Sequence, residues 1–323
     1  AALSITVSLA APAFADTYYI DYGDITITKN EDGSQTIQQG TEKWTDKAGE
    51  ETVITTSNTV ITTLESDLEG PAAEDSDFGP VVEDNYQPVQ PESTEESEDA
   101  DRQESADQQA APAAAPAGST PVNPKDDDFW GNTITVINNF ADKVLNLTLK
   151  DVKIDVSDTG KDTGNPGTSD KGKAALSVQG KGNVEIELDG DNELKSGTQR
   201  AGLEKTSTGT LTLKDDNKEA GSLKATGSNY GAGIGGSYGE GTKNITITGG
   251  TVNAAANRNG AGIGGGGGEG GNGEDITITG GTVTATGGRL GAGIGGGREG
   301  KGENITITGG TVEATGYFGG AGI

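Results

Sequence analysis

The repeat that decides the fold reads GAGIGGGGGEGGNGEDITITGGTV at residues 260–283. Its opening tetrad, Gly-Ala-Gly-Ile, recurs at spacings of 29, 31 and 29 residues, starting at Gly231, Gly260, Gly291 and Gly320. The first three copies continue through a glycine-rich arc into (Asn/Asp)-Ile-Thr-Ile-Thr-Gly-Gly-Thr-Val and a short variable corner. The longer spacing comes from one arc, residues 266–274, which holds two residues more than its counterparts. A surface loop on a repeating scaffold tolerates such an insertion.

The Ile-Thr-Ile-Thr segment indicates a strand with one buried and one exposed side. In Ile245-Thr246-Ile247-Thr248 alternate side chains face opposite ways, so isoleucine points inward and threonine outward. If consecutive copies stack about 4.8 Å apart, each strand pairs in parallel with its copy and isoleucine lies on isoleucine. The glycine pair at Gly249-Gly250 permits corner angles that a Cβ disfavours. Asn244, Asp275 and Asn304 fall in register, and we interpret them as a polar corner ladder and not as a binding site. The pattern therefore predicts an all-β, parallel β-helix (solenoid).

Earlier coils are degenerate versions of the same unit. Leu211-Thr212-Leu213 takes the Ile-Thr-Ile place, and Ala201-Gly202-Leu203 precedes the Gly231 tetrad by one period. Strands at 184–188 and 147–154 come before them. Divergent coils followed by near-identical ones are typical of a capped solenoid.

Composition excludes several classes of function. The chain of 323 residues has a net charge of −27 and no cysteine or histidine, so disulfides, thiol nucleophiles and histidine bases are absent. A surface this acidic would be repelled by nucleic acid. Hydrolysis of a sugar polymer would need two carboxylates at a fixed separation in a cleft, and no such pair is recognisable. We therefore predict a binding protein and not an enzyme.

Four segments differ in character along the chain. Residues 1–15 resemble the end of a signal peptide, with Ala13-Phe14-Ala15 as the cleavage site, so we expect an exported fragment of a longer protein. Residues 16–63 alternate in strand fashion and are expected to form the first coils. In residues 64–129, Asp and Glu hold 19 of 66 positions, which predicts a disordered acidic linker acting as a spacer or as a collector of cations. Residues 130–323 are the β-helix.

The order of these motifs resembles a known family. The resemblance rests on three stretches in this order: Tyr18-Tyr19-Ile20-Asp21-Tyr22-Gly23-Asp24-Ile25-Thr26-Ile27, then Leu147-Thr148-Leu149-Lys150-Asp151-Val152, then the Gly-Ala-Gly-Ile-Gly-Gly and Asn-Ile-Thr-Ile-Thr-Gly-Gly-Thr-Val repeats. The chain is similar to secreted Firmicute carbohydrate-binding, polygalacturonate-binding parallel β-helix proteins over 16–63 and 130–323. The resemblance implies a right-handed helix, bound Ca²⁺ and affinity for acidic plant polysaccharide. The acidic segment departs from that pattern.

A group of carboxylates and amides forms a candidate calcium site. Aligning Leu188 on Leu213 would place Asp191 above Asp216 and Asn192 above Asn217 in neighbouring coils. Carboxylates about 5 Å apart repel unless a cation lies between them, and Ca²⁺ prefers such oxygen ligands. The alternative is a pair of solvated turns, since Asp-Asn is a common turn sequence. The candidate ligands are Asp189, Asp191, Asn192, Asp215, Asp216 and Asn217.

The variable corners form a candidate sugar-binding edge. Stacked corners would bring arginine beside aromatic side chains, with Tyr238 and Arg298 in the neighbouring arcs. Guanidinium groups pair with the carboxylate of a uronate, and aromatic rings stack on sugar rings. Neutral surface variation is the alternative. The candidate residues are Tyr230, Arg258, Arg289, Tyr317 and Phe318.

Together these features predict a protein that is secreted or attached to a bacterial cell surface. We expect it to be monomeric, without a transmembrane span in this stretch, and to bind acidic, pectin-like polysaccharide or a host or cell-surface glycan. Calcium dependence is part of the hypothesis. The alternative is a structural adhesin or stalk whose repeats display another domain, and it would bind no glycan.

Overall fold

A computed structural model of the protein describes residues 16–56, 120–126 and 128–323. The leader predicted at 1–15, the last residues of the predicted first coils and most of the acidic segment lie outside these ranges. Besides one 3-10 turn, Ile20–Tyr22, the regular elements of the described residues are strands. They are β1 (Asp16–Tyr19), β2 (Ile25–Lys29), β3 (Gln35–Gln39), β4 (Glu42–Asp46), β5 (Thr52–Thr55), β6 (Ile134–Asn138), β7 (Val144–Lys150), β8 (Lys153–Asp155), β9 (Leu176–Gly180), β10 (Asn183–Lys195), β11 (Leu203–Lys205), β12 (Leu211–Lys214), β13 (Gly221–Thr226), β14 (Ile234–Gly235), β15 (Thr242–Ile247), β16 (Thr251–Ala255), β17 (Ile263–Gly264), β18 (Gly273–Ile278), β19 (Thr282–Thr286), β20 (Ile294–Gly295), β21 (Gly302–Ile307) and β22 (Thr311–Thr315).

The strands stack into three parallel ladders, which confirms the predicted parallel β-helix. Face one holds β1, β5, β7, the first half of β10, β12, β15, β18 and β21. Face two runs from β2 through β6, β9, β11, β14 and β17 to β20. Face three holds β8, the second half of β10, β13, β16, β19 and β22. Strand β10 turns a corner within its 13 residues, so it belongs to two faces.

The core consists of aliphatic columns inside the coil. On face one, Leu147, Ile186, Leu213, Ile247 and Ile278 are paired in succession and are fully buried. The isoleucines that end the first three predicted tetrads stack in the same way, because Ile234 pairs with Ile263 and Ile263 pairs with Ile294. Burying each such side chain contributes roughly 1.5–3 kcal/mol. Like therefore lies over like along the axis, as the repeat predicts.

The corners after face one use backbone angles that the sequence anticipates. Gly250, Gly281 and Gly310 adopt φ of 77°, 80° and 79°, where a side chain is disfavoured. The in-register residues Asn244 and Asp275 also have positive φ, 59° and 52°. Asn and Asp tolerate this conformation better than other residues with a side chain. These two residues lie inside β15 and β18, where the parallel pairing is interrupted at a bend of the strand.

Residues 16–56 pair with the first coils of the helix. Strand β2 pairs in parallel with β6, and β5 pairs in parallel with β7. Strands β3 and β4 leave this pattern and extend face two as antiparallel neighbours of β2. Residues 120–126 and 128–129 also belong to this unit: Phe129 is buried, and the Val122 N–H donates to the carbonyl of Asp21. These residues, which fall within the segment predicted as a linker, therefore contact the first coils.

A buried carboxylate, Asp46, joins β4 to β1 and β5. Its two oxygens accept hydrogen bonds from Tyr18 Oη at 2.6 Å and Thr52 Oγ1 at 2.5 Å. Burial outweighs these two bonds and raises the pKa of Asp46 to about 6.

We expect this carboxylate to make the protein more stable at pH 5 than at pH 7.5. The folded-state pKa lies above the unfolded value, so the stabilisation is complete below about pH 4 and is lost as pH rises through 6. The free-energy difference should be about 1–3 kcal/mol, seen as a higher Tm on acidification. In Asp46→Asn the change of Tm between pH 5 and pH 7.5 should be smaller. If the Tm of this variant changes as much as that of wild type, other groups cause the pH dependence.

Candidate binding cleft

An open cleft of about 560 Å³ lies where the predicted edge runs along the coils. It brings together Tyr230, Arg258 and Arg289 from the variable corners with Tyr238 and Arg298 from the arcs. The backbone keeps corners and arcs in register: Gly267 N–H donates to the Tyr230 carbonyl at 2.7 Å, and Arg298 N–H donates to the Asn259 carbonyl at 2.7 Å. Neighbouring coils therefore contribute equivalent positions to one surface.

One wall of the cleft is a segment between β8 and β9, residues 158–172, here called the wall loop. Its residues Gly164, Asn165 and Pro166 line the cleft. The coils hold it through its backbone, since Tyr230 Oη donates to the Gly164 carbonyl at 3.1 Å and Gln199 Nε2 donates to the Pro166 carbonyl at 2.7 Å. The Tyr230 side chain is buried and links its corner to the wall loop, so its ring is not freely exposed for stacking on a ligand.

The aromatic part of the cleft is an edge-on pair of tyrosines. The ring of Tyr238 lies 5.3 Å from that of Tyr230, with 69° between the ring planes. Gly268 makes room for this arrangement, because a Cβ there would come within 2.9 Å of the Tyr238 ring. Tyr238 is the half-buried member of the pair, so it is the ring that a ligand can reach.

The cleft is positively charged in a strongly acidic protein. The chain has only five arginines, and three of them, Arg258, Arg289 and Arg298, line this cleft. Glu299 also lines it and pairs with Arg298 at 3.0 Å. Asp162 in the wall loop is hydrogen-bonded to Asn229. The Gly164 N–H, with smaller contributions from Asn229 and the charge of Arg258, lowers the pKa of Asp162. Arg258 and Arg289 remain exposed and have no ion pair among the described residues.

Two predicted edge residues lie outside the cleft. Phe318 is 87% exposed and its ring lies 4.7 Å from the guanidinium carbon of Arg289. Tyr317 is also exposed. Both extend the edge beyond the cleft without lining it, so only three of the five predicted residues meet there.

The predicted stacking of the calcium candidates is wrong. The register pairs Ile186 with Leu213 and Asp191 with Ser222, so Asp191 does not lie above Asp216, nor Asn192 above Asn217. The physical reason is the corner length. Two residues, 188 and 189, join the paired segments in one coil, and six, 215–220, join them in the next. The longer corner forms a loop that folds back on Glu187, which accepts hydrogen bonds from two of its N–H groups.

The six candidates instead serve the corners as hydrogen-bonding groups. Asp189 accepts from Asn217 at 2.7 Å, Asp191 from Ser222 at 2.8 Å, and Asp215 from the Gly221 N–H at 3.2 Å. Asp216 pairs with Lys214 at 3.2 Å. Burial raises the pKa of Asp189. Among the described residues no three acidic side chains converge as a metal site would require. This arrangement does not fit the predicted calcium ion, and calcium binding stays an untested prediction.

Sequence reasoning missed the wall loop. Residues 162–167 read Asp-Thr-Gly-Asn-Pro-Gly, a turn-rich stretch in the long connection between β8 and β9. Nothing in their composition points to a ligand. Their role becomes visible only when the coil that carries Tyr230 is placed beside them. The length of this connection was the available signal, since long loops on a solenoid concentrate on one face.

We expect Tyr230→Phe to loosen the wall loop. The substitution removes only the hydroxyl that donates to the Gly164 carbonyl, a bond worth about 0.5–1.5 kcal/mol. Proteolysis or hydrogen exchange of residues 158–172 should accelerate several-fold. Tyr317→Phe is the matched control, because no hydrogen bond is made by its hydroxyl within the described structure. Equal rates in both variants would show that other contacts hold the loop.

Comparisons with known proteins describe the coils. Residues 219–238, 245–267, 276–298 and 305–323 match the family model called beta helix repeat. No curated protein and no solved structure matches the chain. Within the described residues, no helix has the length and apolarity needed to cross a membrane.

Proposed function

We propose that this parallel β-helix, with beta helix repeats along its C-terminal coils, is an exported protein that binds acidic polysaccharide and does not catalyse its cleavage. The observation that carries the proposal is the clustering of three of the five arginines beside Tyr238. A chain with a net charge of −27 repels a polyanion over most of its surface. A local positive cleft is therefore the place where such a polymer can bind.

The chemistry of the cleft suits a uronic acid. Arg258 and Arg289 present exposed guanidinium groups, which form bidentate hydrogen bonds to carboxylates. The accessible ring of Tyr238 offers an apolar surface against which a sugar ring can stack. Backbone and amide groups of Asn165 and Asn259 line the remaining wall. The cleft is open, so a chain interior can enter as well as a chain end.

The same lining argues for binding without catalysis. Glycoside hydrolysis uses two carboxylates that flank the bond to be broken. Glu299 is the carboxylate of the cleft lining, and it is engaged with Arg298. The sequence holds no histidine that could act as a general base. Residues 1–15, with their leader-like pattern, support export and a role at a bacterial surface.

Binding to polygalacturonate tests this proposal. The protein should be retarded in gels containing polygalacturonate and bind its oligomers in calorimetry. Fully methyl-esterified pectin, which has the same backbone without free carboxylates, should bind at least tenfold more weakly. Equal affinity for polygalacturonate and methyl-esterified pectin would show that the arginines do not recognise the free carboxylates. Failure to bind any acidic polysaccharide would favour the stalk that only displays another domain.

A further inference from the structure

A second, smaller cleft contains a lysine where the fold calls for an aliphatic side chain. On face two, Ile27, Val136, Val178 and Lys205 are successive partners in one inward-facing column. The first three are fully buried aliphatics, and Lys205 is 1% exposed. An ammonium group in such a column costs stability unless it is well paired. Nothing in the parallel ladder itself requires a charge at this position.

The pairing of Lys205 is incomplete. Its Nζ donates to the Ser207 carbonyl at 2.8 Å, and no carboxylate of the described residues lies within 4.0 Å of it. An ammonium has three donors, so this single neutral acceptor leaves capacity for another ligand. Burial, together with the nearby charge of Lys243, lowers the pKa of Lys205 to about 8. The group is therefore largely charged at neutral pH and under-compensated.

The surroundings of Lys205 supply further donors. A cleft of about 240 Å³ is lined by Lys205, Ser207, Thr242, Lys243 and Asn272. The Ser207 hydroxyl is buried and has no hydrogen-bond partner among the described residues. A buried polar group without a partner costs about 1–3 kcal/mol. Lys243 is exposed, so it stands at the surface of the cleft while Lys205 lies beneath it.

One carboxylate shares this cleft. Glu274 is the strand partner of Lys243 and accepts a hydrogen bond from Asn272 at 3.4 Å. It lies farther than 4.0 Å from both lysine ammonium groups, since no ion pair joins them in the described structure. Two lysines and one glutamate leave a net charge of +1 when Lys205 is protonated. The cleft shares no lining residue with the arginine cleft.

We propose that the cleft formed by Lys205, Ser207 and Lys243 binds a small oxyanion, a sulfate, phosphate or carboxylate group. The ligand would accept from the second donor of Lys205, from the Ser207 hydroxyl and from Lys243. It is either a free inorganic ion or a group carried by a polymer. The proposal does not depend on polysaccharide binding at the arginine cleft.

Thermal unfolding of the whole protein with sodium sulfate and sodium phosphate tests the site. Chloride at matched ionic strength corrects for screening. Wild type should show a saturable rise of a few degrees in Tm at millimolar sulfate or phosphate. Lys205→Met should raise the Tm without anion, because an aliphatic returns to the column, and should abolish the saturable rise. Lys224→Met, an exposed lysine on face three, is the control and should keep the rise.

Two further variants cover the case that Lys205→Met does not fold. Ser207→Ala and Lys243→Ala should each weaken the sulfate effect by about threefold to tenfold, as expected for the loss of one hydrogen bond. An unchanged response in both variants overturns the proposal, and so does a wild type that shows no saturable response to sulfate, phosphate or galacturonate oligomers. So does an intact response in Lys205→Met. If galacturonate oligomers produce the Lys205-dependent rise and inorganic anions do not, the oxyanion is polymer-borne.

Discussion

Replacing Arg258 and Arg289 together by alanine should weaken polygalacturonate binding about 100-fold. Each guanidinium is exposed in the cleft and has no ion pair among the described residues, so its donors are available to a carboxylate. A hydrogen bond to a charged group contributes about 1.5–3 kcal/mol, and about 1.4 kcal/mol corresponds to a tenfold change in affinity. Calorimetry with oligogalacturonate of defined length measures the loss. Thermal unfolding should stay within about 1 kcal/mol of wild type, because both side chains lie at the surface.

The control must separate local charge from net charge. Lys181 and Lys218 are exposed lysines outside the cleft, and no ion pair involves them in the described part of the chain. Lys181→Ala combined with Lys218→Ala changes the net charge by the same amount as the arginine pair. This control should alter affinity less than threefold. If both double variants lose affinity equally, binding follows overall charge, and the cleft is not the site.

Asn192→Ala should destabilise the protein by about 3–5 kcal/mol, with or without calcium. The Asn192 side chain is 2% exposed. Its Nδ2 lies 3.0–3.2 Å from the carbonyls of Leu149, Asp189 and Ser222, and its Oδ1 accepts from the Val152 N–H at 2.9 Å. Truncation removes contacts with three successive coils and leaves the buried Val152 N–H without its acceptor. Denaturant unfolding measures the change.

This variant also separates the two interpretations of the corner. Asn253→Ala, an exposed amide on face three, is the matched control and should change stability by less than about 0.5 kcal/mol. If Asn192 were a calcium ligand, its loss would matter only in the presence of calcium. If Asn192→Ala destabilises the protein by the same amount after calcium is chelated, the role of Asn192 is to stabilise the fold. A cost that vanishes without calcium would restore the metal hypothesis.

The C-terminal repeat could be predicted because each copy repeats the same residues at each position. Ile245, Ile276 and Ile305 stack as the Ile-Thr-Ile-Thr pattern requires.

The earlier coils were harder to predict, because Leu-Asp-Gly-Asp-Asn and Leu-Lys-Asp-Asp-Asn look alike but occupy different places in the coil. Residues 188–192 continue through a two-residue corner into face three, whereas residues 213–217 end inside a six-residue corner. Sequence similarity therefore aligned Leu213 with Leu188, two positions from its true partner Ile186. It aligned Asp191 with Asp216, six positions from its true partner Ser222. The longer corner folds back over Glu187, and no local sequence pattern reveals that contact.

The candidate cleft was predicted in part for the same reason. Arg258 and Arg289 occupy equivalent corners of adjacent repeats, so periodicity alone brought them together. The wall loop belongs to a non-repeating coil, and its contact with Tyr230 spans 66 residues of sequence. Lys205 also escaped notice, because an isolated lysine in a charged sequence does not reveal that it faces inward. Only the pairing with Val178 shows this.

Because the corners stack along one edge of the β-helix, this surface can be lengthened one coil at a time. Each coil adds one corner and one arc while its isoleucines continue the internal columns. Gain or loss of one whole repeat would therefore lengthen or shorten the edge by about 4.8 Å without repacking the interior. Insertions shorter than a repeat fall in arcs and corners, as residues 266–274 and 215–220 illustrate. Duplication or deletion of the DNA that encodes one repeat can therefore change the length of this surface while the packing of the interior stays the same.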